Sequence, residues 1–160
     1  MKWHKVVENR TWWNQMIKKF MGEYNHSLDS KGRLIVPSKF RDLLGDEFYV
    51  TKGLDPCLVA YTPEKWQEVL DSLEQQLPTN FRNGREMRRY LIGGAAEVEI
   101  DKQGRVLIPG NLRQFAHLEK NLVLVGAGDY FEIWDEQAWD QANQFGSISE
   151  IAEEFPGLRF

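Results

Sequence analysis

The stretch Asp29-Ser30-Lys31-Gly32-Arg33-Leu34-Ile35-Val36-Pro37 returns 72 residues later as Asp101-Lys102-Gln103-Gly104-Arg105-Val106-Leu107-Ile108-Pro109. Both copies read Asp-x-x-Gly-Arg, then three apolar residues, then proline. A duplication sets architecture before any local assignment, because each copy is one supersecondary unit that cannot bury its apolar face alone. The match extends outward from the turn. Arg41 and Arg113 each stand four residues beyond the proline. With a residue or two of slippage, Tyr49-Val50-Thr51 aligns with Val123-Leu124-Val125, Ala60-Tyr61 with Ile133-Trp134, and Trp66 with Trp139. The repeats cover about 23–66 and 95–139.

Within the first repeat, Glu23–Leu28 reads as a strand and Asp29–Gly32 as a turn whose glycine can take positive φ. Arg33–Val36 is the returning strand, stopped at Pro37. The motif is therefore expected to be a hairpin with Lys31 near its tip. Ser38 is a candidate N-cap for a short helix over 39–44, closed by Gly45. Phe48–Thr51 and Leu58–Tyr61 are two more strands around the turn Gly53-Leu54-Asp55-Pro56. Thr62 caps a longer helix that begins with Pro63 and runs to about Gln76. The second repeat follows the same plan, with strands Val98–Ile100, Val106–Ile108, Leu122–Val125 and Tyr130–Trp134. Asn111 and Asp135 are its expected helix caps, for helices over 112–117 and 136–145. A connecting helix over 79–92 carries Arg82, Arg85, Arg88 and Arg89. The tail from Gly146 is acidic and is either a short helix or frayed. Strands and helices interleave without long parallel crossovers, so the fold class is α+β. Each half has an apolar face the other can match, which predicts packing about a pseudo-twofold axis.

Of 160 residues, 42% are hydrophobic, enough for a shared core. The single cysteine, Cys57, excludes an intrachain disulfide and fits a reducing cytoplasm. No segment has the length of a membrane span or the pattern of a signal peptide. Residues 1–20 are unlike the rest: five basic residues stand against Glu8, leaving 15 basic and 23 acidic residues in 21–160, a net charge of −8. This leader lies outside the repeat. It reads as an extended start or a disordered arm, although Trp3, Trp12 and Trp13 sit poorly with a purely solvated tail.

Most catalytic and cofactor chemistry lacks a constellation here. His4, His26 and His117 are scattered and stand at no ligand spacing from Cys57, so no metal site is expected. His117 reads as a helix C-terminal partner for backbone carbonyls. The Gly93-Gly94 and Gly126-x-Gly128 pairs have neither the spacing nor the context of a phosphate loop. Asp29 and Asp101 each precede an arginine by four residues, which keeps them ionised and makes them poor general acids. No enzyme activity and no cofactor are expected.

The charged turns remain. Lys31, Arg33, Lys39 and Arg41 surround Asp29, while Lys102, Arg105 and Arg113 surround Asp101. Arginine suits bidentate contacts to phosphate or guanine, and a two-stranded ribbon fits a major groove. The structural alternative is equally physical: an aspartate opening a turn bonds backbone two residues on, and the Asp–Arg pair only clasps the turn. The connecting arginines read first as a solvated face, with phosphate or subunit contact as the sharper option. A chain at −8 binds DNA strongly only if weak modules are repeated on an assembly whose spacing matches the sites.

The segment Met21-Gly-Glu-Tyr-Asn-His-Ser-Leu-Asp-Ser-Lys-Gly-Arg-Leu-Ile-Val-Pro-Ser-Lys-Phe-Arg resembles the start of the MraZ family. Gly53-Leu-Asp-x-Cys-Leu, Ala95-x-Glu-x-x-Ile-Asp-Lys-Gln-Gly-Arg and Ile133-Trp134 followed by Trp139 extend the resemblance over about 21–155. It implies two SpoVT-AbrB-like halves, each a swapped-hairpin unit, joined in pseudo-symmetry with flanking helices. The family's mark is an Asp-x-x-x-Arg pair in each half, here Asp29 with Arg33 and Asp101 with Arg105. The resemblance further implies a ring-shaped homo-oligomer, cytoplasmic and nucleoid-associated, that represses transcription. Its expected target is short direct repeats upstream of its own gene, at the head of the division and cell wall gene cluster. The expected DNA-binding residues are Asp29, Lys31, Arg33, Lys39, Arg41, Asp101, Lys102 and Arg105. The first turn is the more basic and is favoured for DNA; the second is free to serve ring packing. The resemblance implies no metal, membrane or small-molecule substrate. The leader departs from the family pattern, and no DNA contact is carried onto the four connecting arginines.

Overall fold

A computed structural model describes residues 18–160. The first repeat contains β1 (Glu23–Ser27), β2 (Arg33–Ile35), α1 (Ser38–Leu44), β3 (Glu47–Lys52), β4 (Leu58–Tyr61) and α2 (Pro63–Gln76). Helix α3 (Arg82–Leu91) connects it to β5 (Ala96–Glu99), β6 (Arg105–Leu107), α4 (Gly110–Phe115), β7 (Asn121–Gly126), β8 (Phe131–Asp135) and α5 (Glu136–Ala142). A short helix, α6 (Ile148–Ala152), lies in the acidic tail. The expected leader lies outside the described residues except for Lys18–Phe20. Phe20 is buried, and its N–H and C=O both bond Gly128.

The fold is α+β with antiparallel strands. Six of them form one sheet in the order β1-β7-β8-β4-β3-β5, and β2 pairs with β6 as a separate ribbon. The expected hairpins form only at their turns. Asp29 N–H bonds Arg33 O at 2.8 Å, and Gly32 N–H bonds Asp29 O at 3.0 Å. Beyond the turn the strands part. Strand β1 pairs with β7 of the other repeat, and β5 pairs with β3. The second half's turn does the same, through Asp101 N–H to Arg105 O at 2.9 Å. The reason lies in burial. Leu34 and Val106 of the β2–β6 ribbon, with Val36 and Ile108 just beyond it, are at most 1% exposed and join the common core. A duplicated chain offers β1 and β5 equivalent partners in either repeat, and each takes the one in the other repeat, while β3–β4 and β7–β8 pair within their own.

Alternation along the sheet strands feeds two layers. Phe48, Val50, Leu58, Ala60, Leu122, Leu124, Phe131 and Ile133 face the main core, which both repeats share with Phe40 and Leu112 from the short helices. On the other face Val123 and Trp134 pack with Cys57 and with Trp139 of α5. Trp66 of α2 stacks on Tyr49 at 5.9 Å between ring centroids. Thr62 and Asp135 cap their helices as expected, accepting from Lys65 N–H at 3.1 Å and Gln137 N–H at 3.2 Å. Ser38 and Asn111 do not cap. Their helices start directly after Pro37 and Pro109, which occupy the cap positions with no side-chain bond. Each proline C=O instead accepts from residues three and four further on, such as Phe40 and Arg41. Helix α5 ends at Ala142 rather than near 145, and His117 closes α4 through its backbone, with φ of 52°.

Candidate nucleic-acid interface

Each turn is built around one carboxylate. Asp29 Oδ1 accepts from Lys31 N–H and Arg33 N–H, both at 2.9 Å, while Oδ2 accepts from Arg33 Nε at 2.8 Å. Asp101 repeats this with Gln103 N–H at 2.9 Å, Arg105 N–H at 2.8 Å and Arg105 Nε at 3.0 Å. The backbone N–H of Arg33 is the main reason Asp29 titrates below the ordinary carboxylate value. Partial burial opposes that effect, and the Arg33 side chain and Lys31 N–H reinforce it. Asp101 is held down in the same way by Arg105 and Gln103. The clasp is therefore real, yet it occupies only Nε of each arginine. Among the described residues no hydrogen bond takes their Nη atoms, the edge that grips phosphate or guanine.

Gly32 and Gly104 are required by two constraints at once. Their φ angles are +83° and +79°, a region that L side chains rarely adopt. The guanidinium of Arg113 lies against Gly32, so close that a Cβ there would stand 2.4 Å from Nη1. Arg41 lies against Gly104 in the same way, at 2.1 Å from a Cβ. Each repeat thus lays an arginine across the other repeat's turn. The backbone follows suit: Val36 N–H bonds Gly104 O at 2.9 Å, and Ile108 N–H bonds Gly32 O at 3.0 Å. Arg113 Nε is buried without a hydrogen-bond partner among the described residues. The pairing of Arg41 with Arg113 was visible in the repeat alignment, but their crossing was not.

The crossing also merges what the sequence presents as two separate turns. In the ribbon, Arg33 stands opposite Leu107, Leu34 opposite Val106, and Ile35 opposite Arg105. Leu34 and Val106 point into the core, so Arg33, Ile35, Arg105 and Leu107 share the outer face. Diagonal neighbours on such a face lie about 7–8 Å apart, which places the two motif arginines in one patch. Lys31, Lys39 and Lys102 are exposed, and Arg41 is half-buried over Gly104.

The connecting arginines divide. Arg88 pairs with Glu74, and Arg85 donates to Thr79 O at 2.9 Å, whereas Arg82 and Arg89 are exposed. Cys57 is buried, and desolvation with the nearby Glu132 carboxylate pushes its thiol pKa upward, away from nucleophilic chemistry. Among the described residues no group of three metal-ligating side chains converges.

The model of the MraZ protein family matches residues 19–87 and again 91–154, once for each half. The chain belongs to the MraZ family. It is 52% identical to the transcriptional regulator MraZ of Lachnoclostridium phytofermentans over 143 residues, covering 88% of this chain and 99% of that protein. It is 48% identical to the same-named regulator of Alkaliphilus metalliredigens, over 87% of this chain and 98% of the relative. That of Limosilactobacillus fermentum is 46% identical, over 88% and 99%. MraZ relatives are named as transcriptional regulators, not as enzymes, which accords with the missing catalytic constellation. Among the described residues of this MraZ-family chain, no helix is long and apolar enough to cross a membrane.

Proposed function

We propose that the chain is a sequence-specific DNA-binding repressor that grips DNA with the β2–β6 ribbon. The observation that carries this is the shared outer face of that ribbon, where both motif arginines are clasped through Nε and, among the described residues, take no hydrogen bond at Nη. Arg33 and Arg105 contact phosphate or base edges. Asp29 and Asp101 orient them, Lys31 and Lys102 add positive charge from the turns, and Lys39 and Arg41 add it from α1. Both halves serve one contact, which the crossed pairing supports better than a division of labour between turns. The same crossed pairing supports two swapped-hairpin units, over 23–66 and 95–139, related by a pseudo-twofold axis. Residues 79–92 connect them.

The reading extends to a ring-shaped homo-oligomer, cytoplasmic and nucleoid-associated. It acts on direct repeats upstream of its own gene and of the division and cell wall gene cluster. A net charge of −8 over 21–160 favours multiplied contacts over one strong one. The tail supports self-association: Phe145, Ile148, Ile151, Phe155, Leu158 and Phe160 are all exposed. Surfaces of that kind mark interfaces. The decisive experiment is a gel shift on the DNA upstream of its own gene, beside sizing of the free protein. Arg33→Ala should weaken binding by about 1–3 kcal/mol per contact if the arginine reads a base. Unchanged binding at raised salt would remove Arg33 from the interface. Loss of assembly in the same variant would favour an interaction protein whose turns are purely structural.

A further inference from the structure

Two aliphatic side chains sit where a purely electrostatic grip has no use for them. Ile35 is 48% exposed and Leu107 is 56% exposed, both on the outer face of the ribbon. Each stands directly across from an arginine of the other repeat, Ile35 from Arg105 and Leu107 from Arg33. The face is thus a two-by-two checkerboard of guanidinium and alkyl groups, the same when read from either repeat. Covering it with an apolar protein surface would desolvate both guanidiniums, each neutralised only through its Nε by a clasping carboxylate.

A DNA major groove suits both kinds of group. Guanine offers two acceptors to an arginine, and the C5-methyl of thymine is the apolar group on the base edges. Directly opposed residues in a ribbon lie about 4.5–5.5 Å apart, between one and two base-pair steps of about 3.4 Å. An arginine and its opposed aliphatic therefore reach neighbouring bases. We propose that Ile35 and Leu107 are specificity-determining residues that read thymine methyl groups beside the guanines taken by Arg105 and Arg33. This rests on the DNA-binding reading above.

The test uses the full chain and a duplex enriched from random-sequence DNA by the protein itself. The same duplex is then made with deoxyuridine in place of thymidine, one position at a time, which removes a methyl and nothing else. At fixed salt, fluorescence anisotropy should show about three- to fivefold weaker binding per buried methyl, confined to positions adjoining a guanine. Ile35→Ala and Leu107→Ala should each bind the thymidine and deoxyuridine duplexes alike at the position they read. Wild-type binding that ignores every deoxyuridine would overturn this inference while leaving DNA binding intact. So would alanine variants that keep the full methyl dependence. If those variants change the assembly's mass while the wild type ignores the methyls, the face is a subunit contact instead. Failure to enrich any sequence would overturn the DNA reading, and this inference with it.

Discussion

Replacing Gly32 with alanine separates two costs that the fold places at one atom. The residue has φ of +83°, and forcing a side chain into that region costs about 1–2 kcal/mol. The new Cβ would also stand 2.4 Å from Arg113 Nη1 and 2.5 Å from its Cζ, so the guanidinium must leave its seat. Overpacking of that kind adds about 1 kcal/mol when the displaced group is a flexible side chain. Gly32→Ala should therefore cost about 2–3 kcal/mol in the native background and only about 1–2 kcal/mol in Arg113→Ala, where the clash is gone. The coupling of about 1 kcal/mol is what a double-mutant cycle reads for residues in contact. Urea unfolding followed by tryptophan fluorescence measures it, with protomer concentration held fixed because assembly adds to apparent stability. The same cycle with Gly104 and Arg41 should give a matching value, since the Cβ there would lie 2.1 Å from Nη1. Equal costs of Gly32→Ala in both backgrounds would refute the cross-repeat seat of Arg113.

Gly126→Ala should be worse than Gly32→Ala, at least about 3 kcal/mol, because its Cβ would meet backbone atoms of Met21 and Phe20 at 2.3 and 2.4 Å that no rotamer can clear; the same urea assay compares them. Asp29 and Asp101 have depressed folded-state pKa values, so the clasps contribute fully above the ordinary aspartate value of 3.8 and weaken as pH falls below it. Carboxyl-carbon chemical shifts should show no change at these two residues between pH 7 and pH 5 and protonation only below the ordinary value. The Cys57 thiol should resist a thiol reagent at pH 8 in the native protein and react fully in urea, as its burial and raised pKa require. Ile148→Asp combined with Ile151→Asp should lower the mass measured by light scattering if the tail joins subunits, since both side chains are exposed in the single chain.

The duplication, the α+β class, the order of elements and the two Asp–Arg clasps can be read along the chain. These rest on interactions within a few residues: Asp29 reaches to Lys31 and Arg33, and Thr62 to Lys65. Two local readings failed for an equally local reason, because Pro37 and Pro109 start their helices where Ser38 and Asn111 had been expected to cap. Strand pairing was not legible. Nothing in the period-2 pattern of Arg33–Ile35 distinguishes the outgoing strand of its own turn from the returning strand of the other copy as its partner. The three-dimensional packing sets β2 against β6, where Leu34, Val36, Val106 and Ile108 are buried together. That choice brings Arg33 and Arg105 onto one face, lays Arg41 and Arg113 across the opposite turns, and leaves Ile35 and Leu107 in the open between the arginines.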